Sequence, residues 1–341
     1  MAQRTNSEKN RITVLGGGSW GTAISILLAE NGHSVLVWEF KEDLAAEMQE
    51  KRENSVFMPG FRLHDNIEIT NDLEKAAEWS GLIVFSVPSH VVRGVAKDIG
   101  GLINERKKYI SATKGIEIAS LKRMSEVYKE VLPETDDDNI AVLSGPSFAA
   151  EVCKKYPTAV VAGSMNDDLI EEIQKIFMNK YFRVYGNNDI TGVELGGSLK
   201  NVMAIAAGIV DGVGFGDNTK SALITRGIAE MTRLGMKMGS EMMTFAGLSG
   251  VGDLILTCMG KLSRNLHVGK ELGSGKKLKT VLDDMVQVAE GVKTAEAVHN
   301  LTTELEVETP IMEKVYEVLF KDKEPGKAIE ELMVREAKAE H

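Results

Sequence analysis

The chain has 341 residues, 43% of them apolar, and its 50 acidic and 40 basic side chains give a formal charge of −10. That length suits two domains at ~100–200 residues each, and the acidic balance excludes a general nucleic-acid surface, though not a small anionic ligand held by a few local cations. The two cysteines, Cys153 and Cys258, have no CxxC spacing; neither a disulfide framework nor a metal site is expected, and a reducing cytoplasm is the simplest compartment.

The N-terminal MAQRTNSEKN is polar and lacks the apolar stretch of a secretion signal. Both ends of the chain read as frayed tails. The longest run of apolar residues and glycine, Val202 to Val210, falls well short of the ~20 residues that span a bilayer, so a protein embedded in a membrane is not expected.

In chain order, RITVL at 11–15 predicts a buried strand. GGGSWGTA follows, then an apolar helix through Leu28 with NGH as its stop, then a second strand, SVLVW, at 34–38. Strand, glycine turn, helix and strand within ~30 residues form the unit of a parallel sheet with crossover helices. Further strands are expected at 67–70, 82–87 (LIVFSV), 108–113 (KYISAT), 139–144 (NIAVLS) and 158–163 (TAVVAG). This alternation predicts an α/β, doubly wound domain over residues 1–189. From Asp189 to about Val334 strand signals all but vanish, and helical periods are broken by DGVGFGDN, AGLSGVGD and GSGKK. Residues 190–341 are therefore expected to be all-helical, with the boundary in RVYGNNDI.

Gly16-x-Gly18-x-x-Gly21 follows a strand and opens a helix. Alone it marks only a loop. In this context the first glycine permits the turn, the second admits a diphosphate and the third lets helix and strand pack closely. Ser19 and Trp20 then lie at the helix start, where free N–H groups face a dinucleotide. Glu39 closes the second strand. An acid there bonds the adenosine ribose hydroxyls and repels a 2′-phosphate, which favours NAD over NADP; it also reads as a solvated loop acid. Phe40 can flank the adenine, and Lys41 could offset a 2′-phosphate.

SVP (86–88), TKG (113–115) and SGPSF (144–148) each end a predicted strand, the edge where ligands gather in open α/β sheets. Ser147 reads equally as a helix cap or as a ligand contact. In the second half, Asp253 follows a glycine-rich loop and reads first as a helix N-cap, with Thr257 one turn on. Ser263 predicts a cap with Arg264 and Asn265 in the first turn. A cation is disfavoured there, unless an anion binds the guanidinium, hydroxyl and amides together. Glu290 precedes a glycine in QVAEGVKTA, as in a helix-terminal loop. GGSLKNVMAIAAGIVDG (196–212) has helical length and is almost wholly small or apolar, yet carries Lys200 and Asn201. Such a lysine either snorkels to water or is held in a partly dry place.

GGGSWGTA, SVPSH, SATKGIE, LSGPSFAAEV, ELGGSLKN, GLSGVGDLILTC, SRN and AEGVKT, in that order, resemble the NAD-dependent glycerol-3-phosphate dehydrogenases of the bacterial type. The likeness runs from about Ile12 to Val334. It implies a Rossmann-type N-terminal domain, a helical C-terminal domain with the active site between them, and reversible reduction of dihydroxyacetone phosphate to sn-glycerol 3-phosphate. By position it implies cofactor contacts from Gly16, Gly18, Ser19, Trp20, Gly21, Glu39, Phe40, Ala149, Arg264, Val288 and Glu290. Lys114 would touch both cofactor and substrate. Gly145, Ser147, Asp253, Ser263, Arg264 and Asn265 would line the substrate site, with Lys200 as proton acceptor in the oxidation direction. Phe40 and Glu39 stand where many relatives carry His or Arg beside a small residue. NAD(H) is thus the preferred cofactor, with NADP(H) also accepted, and a homodimer is expected.

In this reading Lys200 donates a proton to the carbonyl oxygen as ammonium and accepts it as amine. Burial and the second cation, Lys114, would both lower its pKa. Asn201 hydrogen-bonds the substrate, Asp253 holds the ammonium in line, Thr257 lies beside them, and Arg264 binds the phosphate. Two rivals stand beside it: a two-domain dehydrogenase of the β-hydroxyacid or 6-phosphogluconate type, and a non-catalytic NAD sensor. The sensor would need the glycine turn but not Lys114, Lys200, Asp253 and Arg264 together.

Overall fold

The structure is a computed structural model that describes residues 10–285, 287–337 and 339–340. The expected N-terminal tail, and part of the C-terminal one, lie outside the described residues. Two compact units divide the chain: residues 1–114 with 122–194, and residues 115–121 with 195–341.

Among the described residues the first unit holds ten strands. They are β1 (Arg11–Leu15), β2 (Ser34–Trp38), β3 (Glu53–Asn54), β4 (Met58–Arg62), β5 (Ile67–Thr70), β6 (Leu82–Phe85), β7 (Lys108–Ser111), β8 (Ile140–Ser144), β9 (Thr158–Gly163) and β10 (Phe182–Asn187). Its helices are α1 (Ser19–Glu30), α2 (Glu42–Lys51), α3 (Leu73–Glu78), α4 (Val92–Gly100), α5 (Met124–Val131), α6 (Ala149–Cys153) and α7 (Asp167–Phe177). Eight strands form one sheet in the order β10-β9-β8-β7-β6-β1-β2-β5. All neighbours are parallel except β8 and β9. The order reverses at β1, with β2 on one side and β6 on the other, which makes a topological switch point. The strands are Val/Ile/Leu-rich because both faces are covered: Ile12, Val14, Val35, Val37, Val84 and Ile110 are all buried.

Three expected strands are shorter than their apolar runs. Ser86–Val87, Ala112–Thr113 and Asn139 fall outside them, because the chain leaves the ladder to turn across the sheet edge. Two elements are new. The hairpin of β3 and β4 carries Pro59 and Gly60, which conceal a strand. The edge strand β10 lies in what read as the inter-domain boundary, with Arg183, Tyr185 and Gly186 exposed.

α8 (Ile190–Val213) crosses from the first unit to the second, which divide at Glu194 and Leu195 rather than at residue 189. The second unit continues with α9 (Asp217–Lys237), α10 (Met242–Phe245), a π turn (Leu248–Gly252), α11 (Asp253–Met259) and α12 (Arg264–Gly273). It ends with α13 (Leu278–Asp283), α14 (Glu290–Glu304), α15 (Pro310–Phe320) and α16 (Pro325–Met333). No strand occurs in it among the described residues. By length and composition α8 could cross a membrane, but its apolar window is wholly buried in the protein itself. The Met242–Met259 stretch passes the same length test, yet it is broken into two helices and a π turn.

α8 packs on α12 through glycines. A Cβ on Gly208 would lie 2.1 Å from the Leu266 carbonyl oxygen, and one on Gly269 would lie 2.0 Å from that of Ile205. Gly212 and Gly273 repeat the contact one turn on. Side chains on neighbouring turns of the two helices therefore meet at hydrogen-bond distance.

Candidate active site

The residues singled out in the sequence fall in two groups, one on each unit. In the first unit, the loops after β8, β7, β6, β1 and β2 follow adjacent parallel strands. They set Gly145–Ser147, Lys114, Ser86–Pro88, the glycine turn and Glu39 side by side along one edge. Thr113 Oγ1 donates to the Val87 carbonyl at 2.7 Å, and Lys114 Nζ to that of Gly145 at 3.3 Å.

The glycine turn fits a diphosphate. Gly16 has φ of +109°, and a Cβ on Gly21 would lie 1.9 Å from the Gly16 carbonyl oxygen. A Cβ on Gly18 would meet nothing within 4 Å. Packing within the unit does not require that glycine; it leaves the helix end open to an incoming group. α1 has no side-chain cap and no acid in its first turn, so its free N–H groups and dipole suit an anion. Trp20 Nε1 is buried without a partner, a donor that a bound molecule can satisfy. Phe40 is 78% exposed and packs edge-on to Trp38.

Glu39 behaves differently from a solvated acid. It is 8% exposed, and its carboxylate accepts from the Gly17 amide and the Lys41 amide, each at 3.1 Å. It braces the turn from below. Asn54 braces it from the other side: Nδ2 donates to the Gly17 carbonyl at 2.6 Å and to Thr22 Oγ1 at 2.9 Å. Sequence reasoning missed Asn54. The only local signal was an asparagine ahead of a Pro-Gly turn, in ENSVFMPG. Ser19 turns its hydroxyl to the Phe57 carbonyl at 3.0 Å, so it serves this hairpin, and its amide remains for a ligand. Ser147 does not cap α6, whose N-cap is Phe148. Its hydroxyl folds back on the Gly145 carbonyl at 3.0 Å, and Gly145 has φ of +130° with Val160 behind it.

In the second unit, Lys200 does not snorkel. It is 7% exposed, and Nζ donates to Asp253 Oδ1 and to Thr257 Oγ1, both at 2.7 Å. Asp253 is not the expected N-cap. It is the first residue of α11 after Gly252, 1% exposed, and its carboxylate faces the lysine. The π turn makes this possible by winding Gly250 against the Phe245 backbone, a tightness of the kind that recurs at functional sites. Thr257, one turn along α11, also bonds back to the Asp253 carbonyl at 2.7 Å.

Ser263 caps α12 as expected, accepting from the Leu266 amide at 3.2 Å. Arg264 is exposed and makes no hydrogen bond or ion pair among the described residues. At neutral pH its guanidinium stays charged. The cap at Ser263 and the Arg264 guanidinium thus stand together at the start of α12. Glu290 begins α14 after Ala289 and Val288, with Val288 exposed. Asn201 and Asn265 hydrogen-bond each other at 2.9 Å. A surface cavity of about 650 Å³ in this unit, lined by Thr309, Glu313, Lys314 and Arg335 among others, contains none of these residues.

A nucleotide-ready switch point and a buried lysine–aspartate–threonine cluster, each on its own unit, define a dinucleotide-dependent dehydrogenase. Comparison with known proteins makes the class specific. Family models described as NAD-dependent glycerol-3-phosphate dehydrogenase N-terminus and C-terminus match residues 11–170 and 189–330. Glycerol-3-phosphate dehydrogenase (NAD(P)+) of Geobacter sulfurreducens is 51% identical over 330 residues, covering 97% of this chain and 98% of the relative. The same enzyme from Lysinibacillus sphaericus is 47% identical over equal shares. The crystal structure of glycerol-3-phosphate dehydrogenase from Coxiella burnetii superposes with a TM-score of 0.92 at 37% identity, covering 96% of this chain and 99% of that one. A D-mandelate dehydrogenase with NADH, at 12% identity and a TM-score of 0.59, shares the fold alone. The chain belongs to the NAD-dependent glycerol-3-phosphate dehydrogenase family and is an NAD(P)-dependent oxidoreductase.

Proposed function

We propose that this protein reversibly reduces dihydroxyacetone phosphate to sn-glycerol 3-phosphate, with Lys200 as the proton donor in reduction and acceptor in oxidation. The observation that carries the reading is the buried Lys200, held by Asp253 and Thr257 at 2.7 Å each. When bound, the dinucleotide supplies or takes up the hydride at the substrate's central carbon. Gly16, Gly18, Gly21 and Trp20 would hold its diphosphate end and Phe40 its adenine, with Glu39 keeping the turn in shape. Ala149, Val288 and Glu290 would complete the cofactor contacts.

Lys200 Nζ has three protons. Asp253 and Thr257 each accept one of them, and in this reading a proton of the ammonium serves the substrate oxygen. As the carbonyl becomes an alkoxide, that proton moves from Nζ to oxygen, and it returns in oxidation. The fixed ammonium also stabilises the developing negative charge in a dry surrounding. Arg264, with the cap at Ser263, would hold the phosphate, and remote binding energy there positions the carbonyl. Gly145, Ser147 and Lys114 would complete the substrate contacts. The product is the backbone of glycerophospholipids, and the reading places the enzyme in the cytoplasm as a homodimer. Following NADH absorbance on addition of dihydroxyacetone phosphate tests the proposal. Oxidation of NADH with formation of glycerol 3-phosphate is expected; a preference for a hydroxyacid's keto form would overturn it.

A further inference from the structure

The peptide between Gly17 and Gly18 has a glycine on each side, so its plane can turn over at little cost. One orientation offers an N–H to an incoming phosphate. The other offers a carbonyl oxygen, which repels it. Nothing within the glycine turn decides between the two.

The deciding bonds begin at Asn54, on the hairpin of β3 and β4. The Phe57 amide, which can only donate, reaches Asn54 Oδ1 at 3.0 Å. That contact fixes the orientation of the side-chain amide, and Nδ2 faces the turn. There it donates to the Gly17 carbonyl at 2.6 Å and to Thr22 Oγ1 at 2.9 Å. Thr22 Oγ1 in turn donates to the same carbonyl at 3.3 Å. Asn54 is fully buried, so water does not compete for these bonds. The strand register shifts between Glu53 and Asn54, an irregularity of the kind that re-aims a side chain. Ser19 ties the other end of the segment to α1 through the Phe57 carbonyl.

The peptides of the turn are trans, so the C=O and N–H of each point opposite ways. In the peptide before, the Gly17 N–H turns to Glu39 while the Gly16 carbonyl lies against Gly21. In the Gly17–Gly18 peptide the carbonyl is held on the Asn54 side. The Gly18 N–H therefore points away from Asn54, at a residue with open surroundings, where a Cβ would meet nothing within 4 Å.

We propose that Asn54 is a positioning residue for the coenzyme: it holds the Gly17 carbonyl inward, so that the Gly18 N–H is presented to the diphosphate. This rests on the diphosphate placement proposed above. Glu39 sets the peptide before Gly17 and Asn54 the peptide after it, and the turn becomes an anion site only when both are set.

Fluorescence titration with NADH, using ADP-ribose and adenosine as competitors, tests it. Asn54→Ala frees the peptide to turn. Affinity for NADH and for ADP-ribose should fall alike, by roughly 10-fold, as for the loss of a hydrogen bond to a charged group. Adenosine carries no diphosphate, and its competition should not change. In steady state the loss should sit in the KM for NADH, with kcat at saturating coenzyme within about twofold of wild type. Thr22→Val keeps the side chain's shape and removes the weaker donor to Gly17. It should show the same pattern at smaller size, and it serves where the alanine variant does not fold. Asn54→Asp reverses the polarity: the carboxylate still accepts from Phe57 but repels the Gly17 carbonyl and draws the Gly18 N–H inward. A crystal structure of that variant without coenzyme should show the peptide turned over. An unmoved Gly17 carbonyl there would overturn the proposal. So would an unchanged NADH affinity in Asn54→Ala, or a loss shared equally by NADH, adenosine and kcat. Gly18→Val separates the placement beneath the proposal. Gly18 has φ of −69° and room for a side chain, so the turn admits valine, and the valine should block NADH. Unchanged NADH affinity in that variant would sink the diphosphate placement, whereas the peptide's orientation in Asn54→Asp would still be read directly.

Discussion

Removing the Glu39 carboxylate separates two roles that one residue combines. The Gly17 amide is buried against it, so Glu39→Ala leaves a donor unsatisfied, at a cost of about 2 kcal/mol within the usual ~1–3. The Lys41 amide is nearer solvent and can turn to water, so it adds little. If the turn is ordered again only when a dinucleotide binds, about 2 kcal/mol becomes a weakening of roughly 30-fold. That loss is common to NADH and NADPH, because both place the same diphosphate on the turn. Repulsion of a 2′-phosphate is a separate effect and concerns NADPH alone. Glu39→Gln keeps an acceptor for Gly17 and removes the charge. The alanine variant should therefore lose kcat/KM for NADH by about 30-fold, with a smaller net change for NADPH. The glutamine variant should stay near wild type with NADH and gain with NADPH. Steady-state kinetics with both coenzymes, and NADH titration by fluorescence, read all four values. An unchanged NADH constant in Glu39→Ala would refute the brace. Equal or better use of NADPH by the wild type would refute the charge argument.

Lys200→Met should reduce turnover by about 10²–10⁴ while NADH still binds. It also strips the buried Asp253 of its ion-pair partner, a loss of about 3–5 kcal/mol, so Lys200→Met with Asp253→Asn should regain Tm but not activity; near-normal turnover in a folded variant would refute the role. Arg264→Ala should raise KM and lower kcat together, and inorganic phosphate or sulfate should compete with substrate in the wild type; unchanged kinetics would remove Arg264 from the phosphate site. Burial raises the Glu230 carboxyl to about 7 from 4.5, even though it accepts from the amides of Ile311 and Met312 at the head of α15. The folded state thus holds that proton more tightly than the unfolded chain, and its contribution, about 3 kcal/mol, is present in acid and lost as pH rises from 4.5 through about 7. The difference in unfolding free energy between wild type and Glu230→Gln should follow that window, and a difference independent of pH would refute the assignment.

The order β1, glycine turn, α1, β2 was legible because each signal is local: an apolar run, a GxGxxG spacing and a stop at Asn31–Gly32. The ligand-facing edge was legible for the same reason, since each motif directly follows its strand. What escaped the sequence is long-range. Asn54 reaches the turn from 37 positions away, and its hairpin carries Pro59 and Gly60, which argue locally against a strand. The antiparallel placement of β9 depends on the register that its neighbours leave open. Asp253 reads as a cap because Asp after glycine usually is one; only the π turn before it redirects the carboxylate toward Lys200.

α8 shows why composition could not tell a snorkelling lysine from a functional one. Five glycines in one helix weaken it by propensity at about 1 kcal/mol each, and nothing in the segment itself offsets that loss. The compensation comes from other elements. Gly196 admits the Ser249 carbonyl of the π turn, since a Cβ there would lie 2.5 Å from that oxygen, and Gly208 and Gly212 admit the backbone of α12. These approaches carry Asp253 and Thr257 toward Lys200 on one helix face and bring Asn265 to Asn201 on another. The residues that make the segment a poor helix in isolation thus place a carboxylate, a hydroxyl and an amide along one buried stretch of chain. A lysine with larger neighbours could not have drawn those groups so close, and it would have needed water to stay charged.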